Sequence, residues 1–234
     1  GYNSTGNWGL QDQRAAMQWV HDSIANFGGD VKRITIFGES AGAGSTSIHL
    51  LAPRSFQLYH RAIIESGPPS AVWVSRPLSD ANQQYERIKA FLKCNDVVCL
   101  KQFNSSVILN AGAHNRGPHT QVKDISWSPL VDLVELSDPP SILLKKGLIN
   151  KVPVIMGTNA NEGTILVPSL VKRANDTNYE ETLAELLGEK LGQEVFKEYP
   201  LGDYPEPRAW WAATTAFGDV AMTCPSRESA RLLS

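Results

Sequence analysis

A serine framed by glycines, Gly38-Glu39-Ser40-Ala41-Gly42, follows the strand-like run Arg33-Ile34-Thr35-Ile36-Phe37 and opens a small-residue helix expected from Ala41 to Leu51. A tight strand-to-helix turn of this kind exposes the serine hydroxyl and aims the first helical N–H at the same point. Ser40 is therefore expected to be a nucleophile, with the Ala41 N–H donating to the oxyanion of a tetrahedral intermediate. A serine hydroxyl is a weak nucleophile by itself and needs a histidine base oriented by a buried carboxylate. Where the serine sits on such a turn, the three groups follow the chain order Ser, Asp or Glu, His. The best acid candidate, Glu162, comes after all five histidines, His21, His49, His60, His114 and His119. His49 is nine residues along the helix, which at about 100° per residue puts it facing away from Ser40. His21 lies on the preceding amphipathic helix, His60 just before a strand, and His114 and His119 in a loop-rich stretch. None is expected to act as the base, so the chain reads as a serine hydrolase cut short.

The elements that must position these residues alternate, as a doubly wound α/β sheet requires. Met17, Val20, Ile24 and Phe27 recur at spacings of three and four, and Gly28 stands where that helix should stop. A strand is expected at Arg61 to Glu65. Asp80 with Gln83 reads as a capping pair for a helix whose inner face is Tyr85, Ile88 and Leu92. From Cys94 to about Ser128 the pattern weakens, with Gly112, Gly117 and Pro118 marking loops. Order returns at Leu130 to Leu136 and in a strand over Val152 to Met156. Leu183, Leu187, Leu191 and Val195 then predict one helix of period four, broken at Tyr199-Pro200.

With 234 residues the chain can bury a substantial core in one domain, and 42% hydrophobic against 20% charged residues is an ordinary globular composition. Lys plus Arg (22) nearly balances Asp plus Glu (24), and there is no run of like charge, which argues against nucleic acid as a partner. No apolar stretch approaches bilayer-spanning length, and no signal peptide is visible at Gly1. Three cysteines make an odd count. Cys94 and Cys99 are close enough to close a small loop, leaving Cys224 alone; the alternative is a pair of reduced buried thiols. The sequons Asn3-Ser4-Thr5, Asn104-Ser105-Ser106 and Asn175-Asp176-Thr177 sit in polar stretches. Together with the cysteine pair they favour a secreted or lumenal protein.

Longer strings carry a family resemblance. Asn7-Trp8-Gly9-Leu10-Gln11-Asp12-Gln13, Phe27-Gly28-Gly29-Asp30, Ile34 through Ala43 around the serine, and His60-Arg61-Ala62-Ile63-Ile64-Glu65-Ser66-Gly67 together resemble the type B carboxylesterases, which include the cholinesterases. The likeness continues through Ser128 to Asp132, Pro153 to Asn159, Asn161-Glu162-Gly163 and Asp219 to Pro225, and so covers nearly the whole chain.

The resemblance implies a partial α/β-hydrolase fold, with a mostly parallel central sheet flanked by helices, and carboxylic ester hydrolysis through an acyl-enzyme without metal or organic cofactor. It gives Ser40 as nucleophile and Glu162 as triad acid. Ser45 matches a second serine near the triad, Glu39 the acidic residue beside the nucleophile, and Trp73 an aromatic of the acyl pocket. Cys94 and Cys99 match a family disulfide, and Cys224 a cysteine whose partner lies further on. Val31 stands where the family usually has proline. The family's Gly-Gly oxyanion loop would precede Gly1 and its catalytic histidine would follow Ser234, so residues 1–234 are expected to be a single incomplete domain, inactive alone. The other reading is a non-catalytic cholinesterase-like adhesion or scaffold protein.

Overall fold

A computed structural model describes residues 6–114, 127–170 and 174–234 of the chain. The sequon at Asn3, His119, Gly117 and Pro118 lie outside the described residues. Helix α1 (Trp8–Ser23) tightens into a 3₁₀ turn over Ile24–Phe27, and Gly28, at φ 78°, ends it in the left-handed region that glycine tolerates. The expected stop is therefore observed. The strand before Ser40 runs later than its β-branched residues suggested: Val31–Arg33 is a 3₁₀ turn with Asp30 accepting from the Lys32 N–H, and β1 is Thr35–Glu39. Helix α2 (Ala41–Leu51) and strand β2 (Arg61–Glu65) follow at the expected places.

A two-residue strand β3 (Arg76–Pro77) leads into α3 (Leu78–Phe91), α4 (Val97–Leu100) and α5 (Ser105–His114). The Asp80–Gln83 capping pair is not found. Pro77 precedes the first turn of α3, and Asp80 lies within that turn, where a carboxylate still favours the positive end of the helix. The buried face of α3 is Gln84 and Ile88. Strand β4 (Leu130–Val131) pairs with β3, and α6 (Pro140–Lys145) precedes β5 (Val154–Gly157).

Helix α7 (Gly163–Leu170) follows. The single helix expected through Leu183 to Val195 is two, α8 (Tyr179–Leu187) and α9 (Glu189–Glu198), folded on each other about Gly188 at φ 88°. An added Cβ on Gly192 would come within 2.7 Å of the Ala184 backbone, so only a glycine lets the two pack this closely. The periodic leucines thus serve a hairpin of helices, whose period alone does not reveal the break. Helix α10 (Arg208–Gly218) passes through a π-helical turn, Asp219–Thr223, into α11 (Cys224–Leu233).

Strands β1, β2 and β5 form a parallel sheet in the order β1-β2-β5. Ile36, Ala62 and Val154 stand in register on one face, with Gly38, Ile64 and Met156 beside them. Helix α2 covers that face: Ala43 and Leu50 pack with Tyr59, Ala62 and Ile64. On the opposite face Phe37, Ile63 and Ile155 line up, and Phe37 and Ile155 are 73% and 67% exposed. A larger apolar cluster joins α8, α9 and α10 to Trp73 and Val167.

Candidate active site

Ser40 occupies the single residue between β1 and α2, at φ 52° and ψ −117°, a combination that costs a non-glycine residue on the order of 1–3 kcal/mol. Its neighbours over-determine that conformation. The Ser40 N–H donates to the Glu65 carbonyl at the end of β2 (2.9 Å), and its own carbonyl accepts the Gly44 N–H of α2 (2.9 Å). The turn is also too tight for side chains. A Cβ on Gly38 would lie 2.3 Å from the Gly42 carbonyl carbon and oxygen, and one on Gly67 would lie 2.5 Å from the Ala43 Cβ and 2.7 Å from the Ser40 oxygen. These glycines let the first turn of α2 fold back against the ends of β1 and β2. Ala41, exposed at the first helical position, keeps an N–H without an intrahelical acceptor, at the positive end of the helix.

Glu162 lies in the turn between β5 and α7. Its Oε1 accepts the Asn159 N–H (2.7 Å) and the Ser66 hydroxyl. Ser66 directly follows β2, as Ser40 follows β1. It too has a left-handed backbone (φ 61°), and its N–H donates to the Gly157 carbonyl at the end of β5 (2.9 Å). The carboxyl ends of three adjacent parallel strands therefore deliver Ser40, Ser66 and Glu162 to one edge, where open α/β sheets bind ligands. Helix α10 braces the acid from behind: a Cβ on Gly163 would fall 1.9 Å from the Thr214 oxygen, and one on Gly218 would be 3.2 Å from the Glu162 Cβ. Ser66 is the residue that sequence reasoning missed. Its signal was there, a serine between a strand and Gly67, but its bond to Glu162 spans 96 residues.

The other expected site residues distribute themselves around this edge. Trp73 is 7% exposed, and its indole N–H donates to the Ala221 carbonyl in the π-helical turn (3.0 Å). Its ring meets α2 at Gly44, where a Cβ would lie 3.3 Å from it, so the ring rests on the residue that bonds Ser40. Asp219 of the same π-helical turn accepts from the hydroxyl of Tyr199, which follows α9 (2.9 Å), and burial followed by that carboxylate pushes the phenol pKa up. Glu39 is exposed at the end of β1, in register with Glu65. Ser45 is half-buried and accepts from Gln13 on α1 (3.2 Å), which ties it to α1.

Two of the described histidines, His49 and His21, are engaged elsewhere. His49 is buried, with Nε2 3.0 Å from Gln13 Oε1 and Nδ1 2.9 Å from the Ser55 hydroxyl. The amide oxygen only accepts, so Nε2 carries the proton and Ser55 donates to Nδ1. Burial lowers this imidazole's pKa to about 4, with Arg14 adding repulsion and Glu135 opposing it. Arg14 and Glu135 form a two-pronged pair beside it (2.6 and 2.7 Å). His21 sits on α1 beside Asp22 (3.2 Å). His60 precedes β2, at the end of the sheet away from Ser40, roughly 16 Å along a five-residue strand. Cys94 and Cys99 are bridged, with Cα atoms 5.6 Å apart, and Cys224 is a free exposed thiol. Among the described residues no cluster of His, Cys, Asp or Glu could hold a metal ion, and no helix is long and apolar enough to cross a membrane.

Comparison with known proteins agrees with this geometry. Residues 2–234 match the model of the carboxylesterase family. The chain is 34% identical to a cholinesterase of Mus musculus over 97% of its own length and 40% of that protein's. It is 32% identical to acetylcholinesterase 1 of Caenorhabditis elegans over 96% of its length and 41% of that protein's.

Proposed function

Because the chain belongs to the carboxylesterase family, we propose that its full-length protein is a serine esterase and that residues 1–234 are part of one α/β-hydrolase domain. Ser40 attacks the ester carbonyl and forms the acyl–oxygen bond. The alcohol leaves with a proton delivered by an imidazolium, and water then hydrolyses the acyl-enzyme by the reverse proton path. The Ala41 N–H supplies one oxyanion donor. The histidine and the remaining donors come from outside these 234 residues, since His49 is engaged by Gln13 and Ser55, His60 precedes β2 at the far end of the sheet from Ser40, and both relatives are longer. Glu162 orients that histidine and stabilises its cation. Ser66 and the Asn159 N–H hold the carboxylate still, leaving Oε2 to face the imidazole.

The observation that carries this reading is the edge at which the strained Ser40 turn and the doubly anchored Glu162 meet, linked by Ser66 and the strand ends. Trp73, resting against Gly44, would line the acyl side of the substrate, with Glu39 directly before the serine and Ser45 further along α2, tied to Gln13. The substrate is a small-molecule or lipid-like ester, and the chemistry calls for no cofactor. The Cys94–Cys99 bridge supports a secreted or lumenal protein.

Ester turnover tests the reading. The full-length protein should hydrolyse aryl esters, and Ser40→Ala should lose roughly a million-fold in kcat. The 234-residue chain alone should be no faster than its own Ser40→Ala variant. A full-length protein that binds a partner but turns over no ester would favour the adhesion or scaffold reading.

A further inference from the structure

The described segment that follows the disulfide loop holds an asparagine whose two amide atoms have separate uses. Asn104 precedes α5, and its Oδ1 accepts the Val107 N–H (3.0 Å) and the Ser106 hydroxyl (2.7 Å). The oxygen thus caps the helix and leaves the amide nitrogen outside that function. Asn104, Ser105 and Ser106 are all exposed, and the three form an N-x-S acceptor sequence. Both bonds span three residues or fewer, so the pairing of hydroxyl with amide forms locally, in a nascent chain as well as in the folded one. Five residues upstream, Cys99 is bridged to Cys94. A disulfide requires the oxidising lumen, which is also where glycan transfer to asparagine occurs.

We propose that Asn104 carries an N-linked oligosaccharide. Nδ2 forms a bond to the anomeric carbon of a lipid-linked oligosaccharide pyrophosphate. The anomeric C–O bond breaks, the lipid pyrophosphate leaves with its electron pair, and the amide gives up one proton, so nothing is oxidised or reduced. The glycosylated amide keeps Oδ1, so the cap on α5 survives the modification. Asn175 offers a different local geometry: there the backbone N–H of Thr177 reaches Oδ1 (2.9 Å), and Asp176 between them is paired with Arg208 (2.6 Å). The proposal rests on the secreted or lumenal reading given above.

The test uses the full-length protein secreted from a eukaryotic cell line. Peptide mass spectrometry after enzymatic glycan release in heavy-oxygen water should find position 104 converted to the acid with the heavy label. Ser106→Ala should abolish that label while keeping the bond from Val107 to the asparagine, and Ser106→Thr should retain it. Secreted protein with Cys94–Cys99 oxidised and Asn104 unmodified would overturn the glycan and leave the compartment standing. Protein held in the cytosol with both thiols reduced would overturn both.

Discussion

Ser66 separates the acid from an ordinary surface glutamate. A loop carboxylate rotates freely, whereas Glu162 is held by one backbone N–H and one hydroxyl, both on the same oxygen. In the full-length enzyme Glu162→Gln should lower kcat roughly ten-thousand-fold, because the imidazole loses its tautomer control and the charge that stabilises its cation. Ser66→Ala should fall between that variant and the wild type, with the loss in kcat and little change in KM; kinetics with an aryl ester decide it. A buried histidine gives a second test. His49 has its pKa lowered from 6.5 to about 4 mainly by burial, so below neutrality the unfolded chain takes up a proton that the folded one refuses. Its contribution is complete above pH 6.5 and drains as pH falls through 4. Between pH 7 and pH 5 the loss should be about 2 kcal/mol, and His49→Gln should flatten it, as urea midpoints at the two pH values would show. The turn at Ser40 was legible because Gly38 and the small residues after the serine are its neighbours in sequence, whereas Gly67, which packs against the turn from the end of β2, was not. Glu162 stood out as the best acid candidate and was given its expected role by the family resemblance, but its bond to Ser66 could not be read at all, since it joins loops far apart in the chain.

Among the elements, the glycines of the turn should differ sharply in tolerance. Gly38→Ala forces a Cβ to within 2.3 Å of the Gly42 backbone and should cost about 1–3 kcal/mol or more, with loss of Ser40 reactivity. An added Cβ at Gly42 meets nothing within 4 Å, and Gly42→Ala should be neutral or stabilise α2 by up to about 1 kcal/mol. Unfolding midpoints of the two full-length variants test the pair. Strand β2 and helix α2 could be read locally, because the apolar run Ala62-Ile63-Ile64 marks the strand and the small residues after Ser40 mark the start of the helix. Strand β1 shifted towards its glycine because pairing with β2 fixes its register more strongly than β-branched content does. The break between α8 and α9 escaped the hydrophobic period because both helices bury aliphatic side chains in the same cluster, Leu183 and Leu186 from one and Val195 from the other. The capping pair on α3 failed because Pro77 had already set the start of the helix.

Over the whole molecule, the parallel sheet is covered by α2 on one face and presents the row Phe37, Ile63 and Ile155 on the other. Two of those side chains are mostly exposed, and a row of apolar side chains on an uncovered sheet face favours association. The 234-residue chain alone should therefore self-associate more than its Phe37→Ser variant, which light scattering of the two would reveal. Composition and alternation gave the fold class, but not which sheet face is covered, since both faces are apolar at β2 and β5. The central claim is that Ser40 is the nucleophile of an esterase, and a fluorophosphonate reads it directly: the serine oxygen bonds to phosphorus and fluoride leaves. Treated with such a reagent, the full-length protein should gain a single adduct on the peptide containing Ser40, lose ester turnover in parallel, and show neither adduct nor turnover as Ser40→Ala. Ester hydrolysis that persists in Ser40→Ala, or an adduct on another residue that abolishes it, would contradict the account.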